Sequence, residues 1–345
     1  MDNRRLLYCS LSYECICHSH LPQTLDGIFF PDRICDCHII GDICSPVDCT
    51  SDRPGGHKYI QVIVQIAIPA PESLIAMEFI YSTRNSDAPV AFASFEAMHT
   101  VFEMVAVHVE ESQARSLAED IRKYIGNAEK ILNRHDPESV FAAINSSKGP
   151  VQVDDETFAL LQFCDVFRRS TDGYFDISSL SEKSISPAYS LDADSRSVTL
   201  ADGGIVLDAG GFGKGYALDH IRKMIQNAGV KDALVNFGDS SVTGMGTHPF
   251  GDGWKVASSR GEGNFILRDS SLSVSGLRPD GSALIINPKN RRVVSGSGMI
   301  AVEGRSAFVC EVLSTALYSA PAEMRSSIIA EFEGYCYKEI KQIYG

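Results

Sequence analysis

The first part of the chain shows strand-like patterns followed by a helical one. Apolar and polar residues alternate over residues 59–69 (YIQVIVQIAIP), which predicts a strand, and a second strand is predicted at residues 77–82, before a loop at 83–89. Residues 99–109 predict a further strand. Apolar residues then recur at helical spacing, which predicts a helix with Ser116 as its N-cap and with one apolar face formed by Leu117, Ile121, Tyr124, Ala128, Ile131 and Leu132.

The rest of the chain is predicted to alternate short helices, turns and short strands. Helices are predicted at residues 140–144 and from Asp154 and Asp155 onward, and the second ends at the TDGYFD turn of residues 171–176. The apolar face of that second helix includes Phe158, Leu161 and Val166. Beyond the turn, strands are predicted at 205–207, 233–241, 254–256, 265–267 and 284–286, and helices at 216–228 and 307–320.

The stretch IVLDAGGFGKGYALDHI, residues 205–221, places four glycines and a lysine where a strand is predicted to meet a helix. A Walker loop needs Ser or Thr after the lysine, but Lys214 precedes Gly215, and the G-x-G-x-G of residues 211–215 is one residue short of the dinucleotide fingerprint. Glycines at such a joint let backbone N–H groups approach an anion at a helix N-terminus. A tight turn that needs positive φ at several positions explains the same pattern, and both interpretations stay open.

Composition excludes several classes of protein. The chain has 345 residues and a formal net charge of -13, and we find no Lys- or Arg-rich run. Nucleic-acid binding is therefore not expected, because it requires basic patches that neutralise phosphates. No apolar stretch reaches the length of about 18 residues that a transmembrane helix needs. The first twenty residues lack the apolar core of a signal peptide, so the sequence as it stands is typical of a cytoplasmic protein.

Seven of the ten cysteines fall in the first 49 residues. Within that segment Cys15-Ile-Cys17-His18 and Cys35-Asp-Cys37-His38 repeat one pattern, and paired soft ligands suit tetrahedral Zn²⁺, although C-x-C is tighter than the usual zinc spacing. Disulfides and merely buried or unstructured thiols are the alternatives. Pro54-Gly55-Gly56 resembles a linker. We therefore predict a small Cys-rich module over residues 1–90, with a candidate Zn²⁺ site at Cys15, Cys17, Cys35 and Cys37.

Eight short motifs follow one another in the remaining chain. They are Met98-His99-Thr100, HDPES…IN at 135–145, TDGYFD at 171–176, DAGGFGKGYALDHI at 208–221, ALVNFGD at 233–239, SVSG at 273–276, IINP at 285–288 and CEVLSTAL at 310–317. In this order they resemble the motifs of the ApbE-type FAD:protein FMN transferases, over roughly residues 92–320. The resemblance implies an α+β fold with mixed sheets and packed helices, in a domain of residues 91–345.

The resemblance also implies an activity and its partners. Family members transfer FMN from FAD to a threonine hydroxyl of a target protein, with Mg²⁺ required and AMP released. FAD and a target protein carrying an acceptor threonine are therefore the expected partners. Family members are often anchored on the outer side of a membrane, so the resemblance implies a periplasmic or membrane-anchored location where the sequence itself indicates a cytoplasmic one.

Site residues follow from the resemblance position by position. The Gly211 carbonyl, Glu311 and Thr315 are expected to hold Mg²⁺, and the i, i+4 spacing of the last two places them on one helical face. The alternative is that Glu311 is a solvated residue on the helix surface and that Thr315 is a hydroxyl in the core. Residues expected to contact FAD are Met98, His135, Tyr174, Phe175, Asp176 and Lys214.

The sequence departs from the family at several positions. The family's histidine base aligns with Leu284, which cannot accept a proton, and two family aspartates align with Asn287 and Glu311. A missing base commonly lowers a rate by about 10²–10⁴. A non-catalytic FAD-binding or scaffold protein, and an FAD pyrophosphatase giving FMN and AMP, are therefore the alternatives to a transferase. The catalytic base is left unassigned, with His248 as the nearest substitute in sequence.

Overall fold

The computed structural model describes residues 9–14, 59–64, 77–85, 87–183, 185–257, 263–276, 285–295 and 298–341. Six helices are described: α1 (Glu111–Leu132), α2 (Val140–Ser146), α3 (Asp155–Ser170), α4 (Gly213–Asn227), α5 (Ala307–Ser319) and α6 (Ala322–Ala330). The strands are β1 (Cys9–Glu14), β2 (Tyr59–Val64), β3 (Glu78–Ser82), β4 (Val90–Ala97), β5 (Thr100–Val107), β6 (Val151–Gln152), β7 (Tyr189–Asp192), β8 (Ser197–Leu200), β9 (Asp232–Phe237), β10 (Ser241–Met245), β11 (Trp254–Ala257), β12 (Asn264–Leu267), β13 (Ser270–Gly276), β14 (Ile286–Asn287), β15 (Arg292–Val293), β16 (Gly298–Gly304) and β17 (Cys336–Lys341).

An eight-stranded sheet in the order β17-β16-β13-β10-β9-β5-β4-β3 organises the α+β fold. Every described pair in it is antiparallel. The predicted mixed sheets are therefore wrong in this respect. The helical segments connect β5 to β9 and β16 to β17, neighbours that run in opposite directions, so they are not the crossover connections that make parallel pairs.

Helices α1 and α4 cover one part of this sheet and bury the first core. Their inward residues pack on the strand side chains around Phe102 and Phe237. α1 begins at Glu111 rather than after Ser116, because Glu110 has extended backbone and its carbonyl accepts the first helical bond from the Ala114 N–H. Ala114 is fully buried, so packing against the core stabilises the first turn of α1. The prediction from the N-cap residue missed this turn.

A second core lies between α2, α3 and α5 and is rich in phenylalanine. Phe167, Phe175, Phe212 and Phe308 form edge-to-face or tilted ring pairs. Val166, predicted on the buried face of α3, is 45% exposed. It lies on the flank of the helix, because the buried stripe follows the neighbouring positions Phe158, Leu161, Cys164 and Phe167.

The predicted strand at 205–207 forms no ladder, although Ile205 and Leu207 are buried. The Asn145 side chain replaces a partner strand there. Its amide donates to the Leu207 carbonyl at 2.9 Å and its carbonyl accepts from the Leu207 N–H at 2.8 Å. The Ser181 hydroxyl bonds the Val206 backbone in the same way, so two side chains satisfy this buried segment and the apolar run did not indicate a sheet.

The remaining boundaries shift by a few residues. The predicted strand at 233–241 is two strands, β9 and β10, because Gly238 (φ +70°) and Asp239 (φ +56°) make a turn. α4 begins at Gly213, inside the glycine stretch, and α5 matches its prediction closely. Leu284 lies outside the described residues.

The region before residue 91 is described only in part. β1 and β2 form an antiparallel pair, which confirms the predicted strand over residues 59–64. β3 pairs with β4, so the large sheet extends across the boundary predicted at residue 90. The division into residues 1–90 and 91–345 otherwise stays a prediction. Cys15, Cys17, Cys35 and Cys37 lie outside the described residues, and no described helix has the length and hydropathy to cross a bilayer.

Candidate functional site

A cavity of about 370 Å³ lies where the glycine stretch, the TDGYFD turn, the β9–β10 turn, β13 and α5 meet. Among the predicted site residues it is lined by Tyr174, Phe175, Asp176, Gly211, Lys214, Glu311 and Thr315. The two sequence elements assigned to one metal site therefore share a cavity, although they lie about a hundred residues apart along the chain.

The glycine stretch is held in place at the wall of this cavity by Asp208. Its carboxylate accepts from the Arg134 guanidinium at 2.5 Å and from the Gly210 N–H at 2.8 Å. The Gly213 N–H donates to the Ala209 carbonyl and starts α4. The N-terminus of α4, with its partial positive charge, therefore lies beside the cavity.

Glu311 is the buried carboxylate of the site. Its side chain is 6% exposed, and it binds α4 through both oxygens: Lys214 Nζ donates to Oε1 at 2.6 Å and the Gly215 N–H donates to Oε2 at 2.5 Å. Gly215 makes this approach possible, since a Cβ there would lie 2.4 Å from the Ala307 carbonyl oxygen. The closeness of α4 and α5 thus depends on a residue without a side chain.

The helix that carries Glu311 is fixed at its start by Asp219 of α4. Asp219 accepts hydrogen bonds from the Ser306 hydroxyl at 2.5 Å, the Ala307 N–H at 2.7 Å and the Phe308 N–H at 3.3 Å. The Ser306 hydroxyl in turn accepts from the Val309 N–H as N-cap. A carboxylate that satisfies first-turn N–H groups stabilises the helix start and sets the register between α4 and α5.

Replacing Asp219 with alanine should lower the free energy of unfolding by about 1.5–3 kcal/mol, the range for hydrogen bonds to a charged group. Urea unfolding followed by circular dichroism measures this. Asp194→Ala, at an exposed position in the β7–β8 turn, is the control and should change stability by less than about 0.5 kcal/mol. Equal stability of the two variants would contradict the positioning role of Asp219.

The proposed ligands of a cation are Gly211, Glu311 and Thr315. The Gly211 carbonyl and the Thr315 hydroxyl face each other at 3.5 Å, at the limit of hydrogen bonding. In a regular helix the Gly215 N–H would bond this carbonyl four residues earlier, but it donates to Glu311 instead. The carbonyl is left weakly bonded beside a hydroxyl and a carboxylate. These oxygen donors fit a hard cation such as Mg²⁺, which takes few protein ligands and completes its shell with water or phosphate.

The TDGYFD turn, residues 171–176, forms a further part of the cavity wall. Its backbone turns through Asp172 (φ +49°) and Gly173 (φ +73°). Phe175 is buried and its ring lies against Gly211, so it packs against the glycine stretch. The Asp176 carboxylate accepts from the Ser178 N–H and hydroxyl, both at 2.7 Å. Tyr174 is half-buried, with Lys289 5.2 Å above its ring.

Two predicted FAD contacts, Met98 and His135, are absent from the described lining of the cavity. Met98 lies in the β4–β5 turn with φ +47°, its N–H donates to Glu129, and its side chain packs against both cores. His135 is exposed in the turn after α1. Their roles in FAD binding stay predictions.

His248 is likewise absent from the described cavity lining. Its ring packs edge-on against Trp254, 5.3 Å between centroids. Burial, and secondarily the charge of Lys255, lowers the pKa of His248. An imidazole that packs on Trp254 and does not belong to the described cavity lining is a poor substitute for the missing base.

Several cavity residues were not among the predicted site residues, although three of them lie in the motifs ALVNFGD and SVSG. Asp239 and Ser240 enter from the β9–β10 turn, and Ser273 and Ser275 enter from β13. Ser273 and Ser275 each lie within 3.0 Å of the Ser314 hydroxyl on α5. The alternation of serine in SLSVSG, residues 271–276, was the available signal, because alternate residues of a strand face the same side.

The family model described as "ApbE family" matches residues 98–184 and 180–336, a span that includes every motif around the cavity. The chain belongs to the ApbE family. A curated relative, the FAD:protein FMN transferase of Chlamydia muridarum (strain MoPn / Nigg), is 23% identical over 232 residues, which covers 60% of this chain and 73% of the relative.

Solved structures of ApbE proteins share the fold at low identity. The flavin transferase ApbE from Vibrio cholerae is 15% identical, with a TM-score of 0.61 over 73% of this chain and 97% of that one. The ApbE protein from Thermotoga maritima is 19% identical, with a TM-score of 0.63 over 77% and 97%. The antiparallel sheets and packed helices are therefore those of the ApbE fold.

Proposed function

We propose that this ApbE family member transfers FMN from FAD to a threonine hydroxyl of a target protein, in a Mg²⁺-dependent reaction that releases AMP. The observation that carries the proposal is the meeting of the N-terminus of α4 with Glu311 and Thr315 of α5 in one cavity. The relative from Chlamydia muridarum is named for this activity, which supports the proposal.

The chain's own residues would bind and orient the diphosphate of FAD. The N-terminus of α4 contributes its partial positive charge, and Lys214 supplies a mobile positive charge. Glu311, Thr315 and the Gly211 carbonyl would hold Mg²⁺, which when bound neutralises diphosphate charge and polarises the phosphorus that is attacked. Tyr174, Phe175 and Asp176 would lie along the flavin half, with Met98 and His135 as further proposed contacts.

The group that accepts the threonine proton remains unassigned. Among the described residues of the cavity wall there is no histidine, and Leu284 stands at the family's histidine position. Because of this departure, one assay has to distinguish three outcomes. They are a slow transferase, a pyrophosphatase that uses water as the nucleophile, and a non-catalytic flavin protein.

The assay incubates the protein with FAD, Mg²⁺ and a peptide that carries an acceptor threonine, and follows products by chromatography and mass spectrometry. The proposal predicts FMN attached to the peptide and an equal amount of AMP. A peptide with valine in place of the threonine is the matched control and should remain unmodified. Free FMN with AMP would instead establish a pyrophosphatase, and unchanged FAD would establish a non-catalytic protein.

A further inference from the structure

The charges on the cavity wall are unfavourable for the ligand that we propose. Among the described lining residues there are four carboxylates, Asp176, Asp208, Asp239 and Glu311, and a single basic side chain, Lys214. Arg134, which is not a lining residue, neutralises Asp208, so Asp176 and Asp239 remain as carboxylates without an ion-pair partner among the described residues. A diphosphate carries negative charge, so this wall repels it unless positive charge is added. Lys214 itself is engaged, because its ammonium lies 2.6 Å from Glu311 Oε1.

The same Glu311 carboxylate is needed by two positive groups. Its Oε2 is held by the Gly215 N–H, which leaves Oε1 as the oxygen that Lys214 occupies. A divalent cation at Oε1 would lie against the ammonium, and two positive charges in a largely buried place repel each other strongly. Both cannot use Oε1 together.

Lys214 is able to leave, whereas Glu311 is not. The lysine side chain is 20% exposed and has a flexible four-carbon stem, and Glu311 is 6% exposed and stays fixed through Gly215. Lys214 also lines the cavity. A lysine displaced from Oε1 therefore has the cavity interior within reach.

We infer that Lys214 and a divalent cation exchange at Glu311: the ammonium neutralises the carboxylate in the cation-free protein and turns to the diphosphate once the cation binds. This inference rests on the proposed function. Cation binding thus adds two positive groups to the diphosphate site, the cation and the released lysine. By linkage, FAD and the cation must each strengthen binding of the other.

The first test replaces Lys214 with glutamine. Electron paramagnetic resonance of free Mn²⁺ measures cation binding without FAD, and Lys214→Gln should bind Mn²⁺ about tenfold more tightly because the competitor is gone. Flavin fluorescence anisotropy, without acceptor peptide, measures FAD binding. In the wild type Mg²⁺ should tighten FAD binding about tenfold, within the usual range of coupling between sites, and in the variant this gain should shrink towards twofold or less.

In Lys214→Gln the affinity for Mn²⁺ should rise while the gain in FAD affinity from Mg²⁺ should fall. These opposite changes distinguish exchange from simpler roles of Lys214. A lysine that only stabilises the fold would weaken both ligands when removed, and a lysine that always contacts phosphate would weaken FAD equally with and without Mg²⁺. Lys214→Arg keeps the competing charge and should keep weak Mn²⁺ binding. The control is Lys183→Gln, which breaks the exposed Lys183–Asp202 pair (3.3 Å) and should leave both affinities unchanged.

A second test needs no variant, since Lys214→Gln leaves a buried carboxylate unpaired and can fail to fold. Brief acetylation of the wild-type protein, read by peptide mass spectrometry, reports how free each lysine amine is. Lys214 labelling should rise when Mg²⁺ is added alone and fall again when FAD is added with Mg²⁺, while Lys183 labelling stays constant. Unchanged Lys214 labelling on adding saturating Mg²⁺, or unchanged or weaker Mn²⁺ binding by a folded Lys214→Gln, would overturn the exchange. Transfer of FMN to the peptide would remain a separate result.

Discussion

Replacing Glu311 with glutamine is expected to reduce metal-dependent turnover of FAD by at least about 100-fold. Glutamine keeps the shape of the side chain but removes the charge that a hard cation requires. Even loss of a residue that only supports a metal ligand costs about 10–100-fold in affinity or activity, so loss of a charged ligand should cost more. AMP release at saturating FAD and varied Mg²⁺ measures the effect.

The control for this change is Glu339→Gln. Glu339 lies on β17, an edge strand of the sheet, and pairs with Arg325 of α6 at 2.6 Å. Replacing Glu339 therefore removes an ion pair without changing the cavity lining. It should leave turnover within a factor of two. Undiminished turnover of a folded Glu311→Gln variant would show that Glu311 is not a metal ligand.

Replacing Gly215 with alanine is expected to destabilise the protein by about 1–3 kcal/mol, the typical cost of overpacking a core. The added methyl group would meet the Ala307 carbonyl oxygen at 2.4 Å and the Glu311 Cβ at 3.0 Å, so α4 and α5 must separate. Separation would also break the Gly215–Glu311 hydrogen bond. Urea unfolding measures the stability, and FAD turnover should fall with it.

Gly126→Ala is the matched control for this change. Gly126 lies within α1, and a Cβ there would have nothing within 4 Å. Alanine at an open helical position should stabilise the protein by roughly 0.5–1 kcal/mol. The same substitution should therefore have opposite signs at the two sites, and equal effects would contradict the close packing of α4 on α5.

Local periodicity predicted the elements that carry the site. α5 was recognised from its apolar run, and the joint at 205–221 was recognised from its glycines. Both signals are local, because helix formation and backbone turning depend on residues a few positions apart. The start of α1 at Glu111 was missed because packing of Ala114, rather than a cap residue, decides it.

Pairing across long distances could not be predicted in this way. Nothing in the apolar run at 205–207 indicates that the Asn145 amide replaces a neighbouring strand. The antiparallel order of the large sheet likewise depends on which strands meet, a property of the whole chain. The mixed sheets were an implication of the resemblance, and the alternation of side chains along a strand could not correct it, because this alternation is the same in parallel and antiparallel strands.

The residues of the site were predicted in outline, but the contacts between them were not. The resemblance selected Lys214 and Glu311 separately, but the contact between them joins residues 97 positions apart and became visible only with the fold. The cluster of carboxylates at Asp176, Asp208 and Asp239 likewise comes from three separate segments. Charge balance within a cavity is therefore a property that motifs alone do not give.

The most direct test of the account is phosphorus NMR relaxation of protein-bound FAD in the presence of Mn²⁺, without acceptor peptide. A paramagnetic cation held beside the diphosphate should strongly shorten the relaxation time of both phosphorus nuclei, after correction for Mn²⁺ and FAD without protein. The wild type is expected to show this effect, and Glu311→Gln is expected to lose it. Equal relaxation enhancement in the two proteins, with both binding FAD, would contradict a cation held between the start of α4 and Glu311.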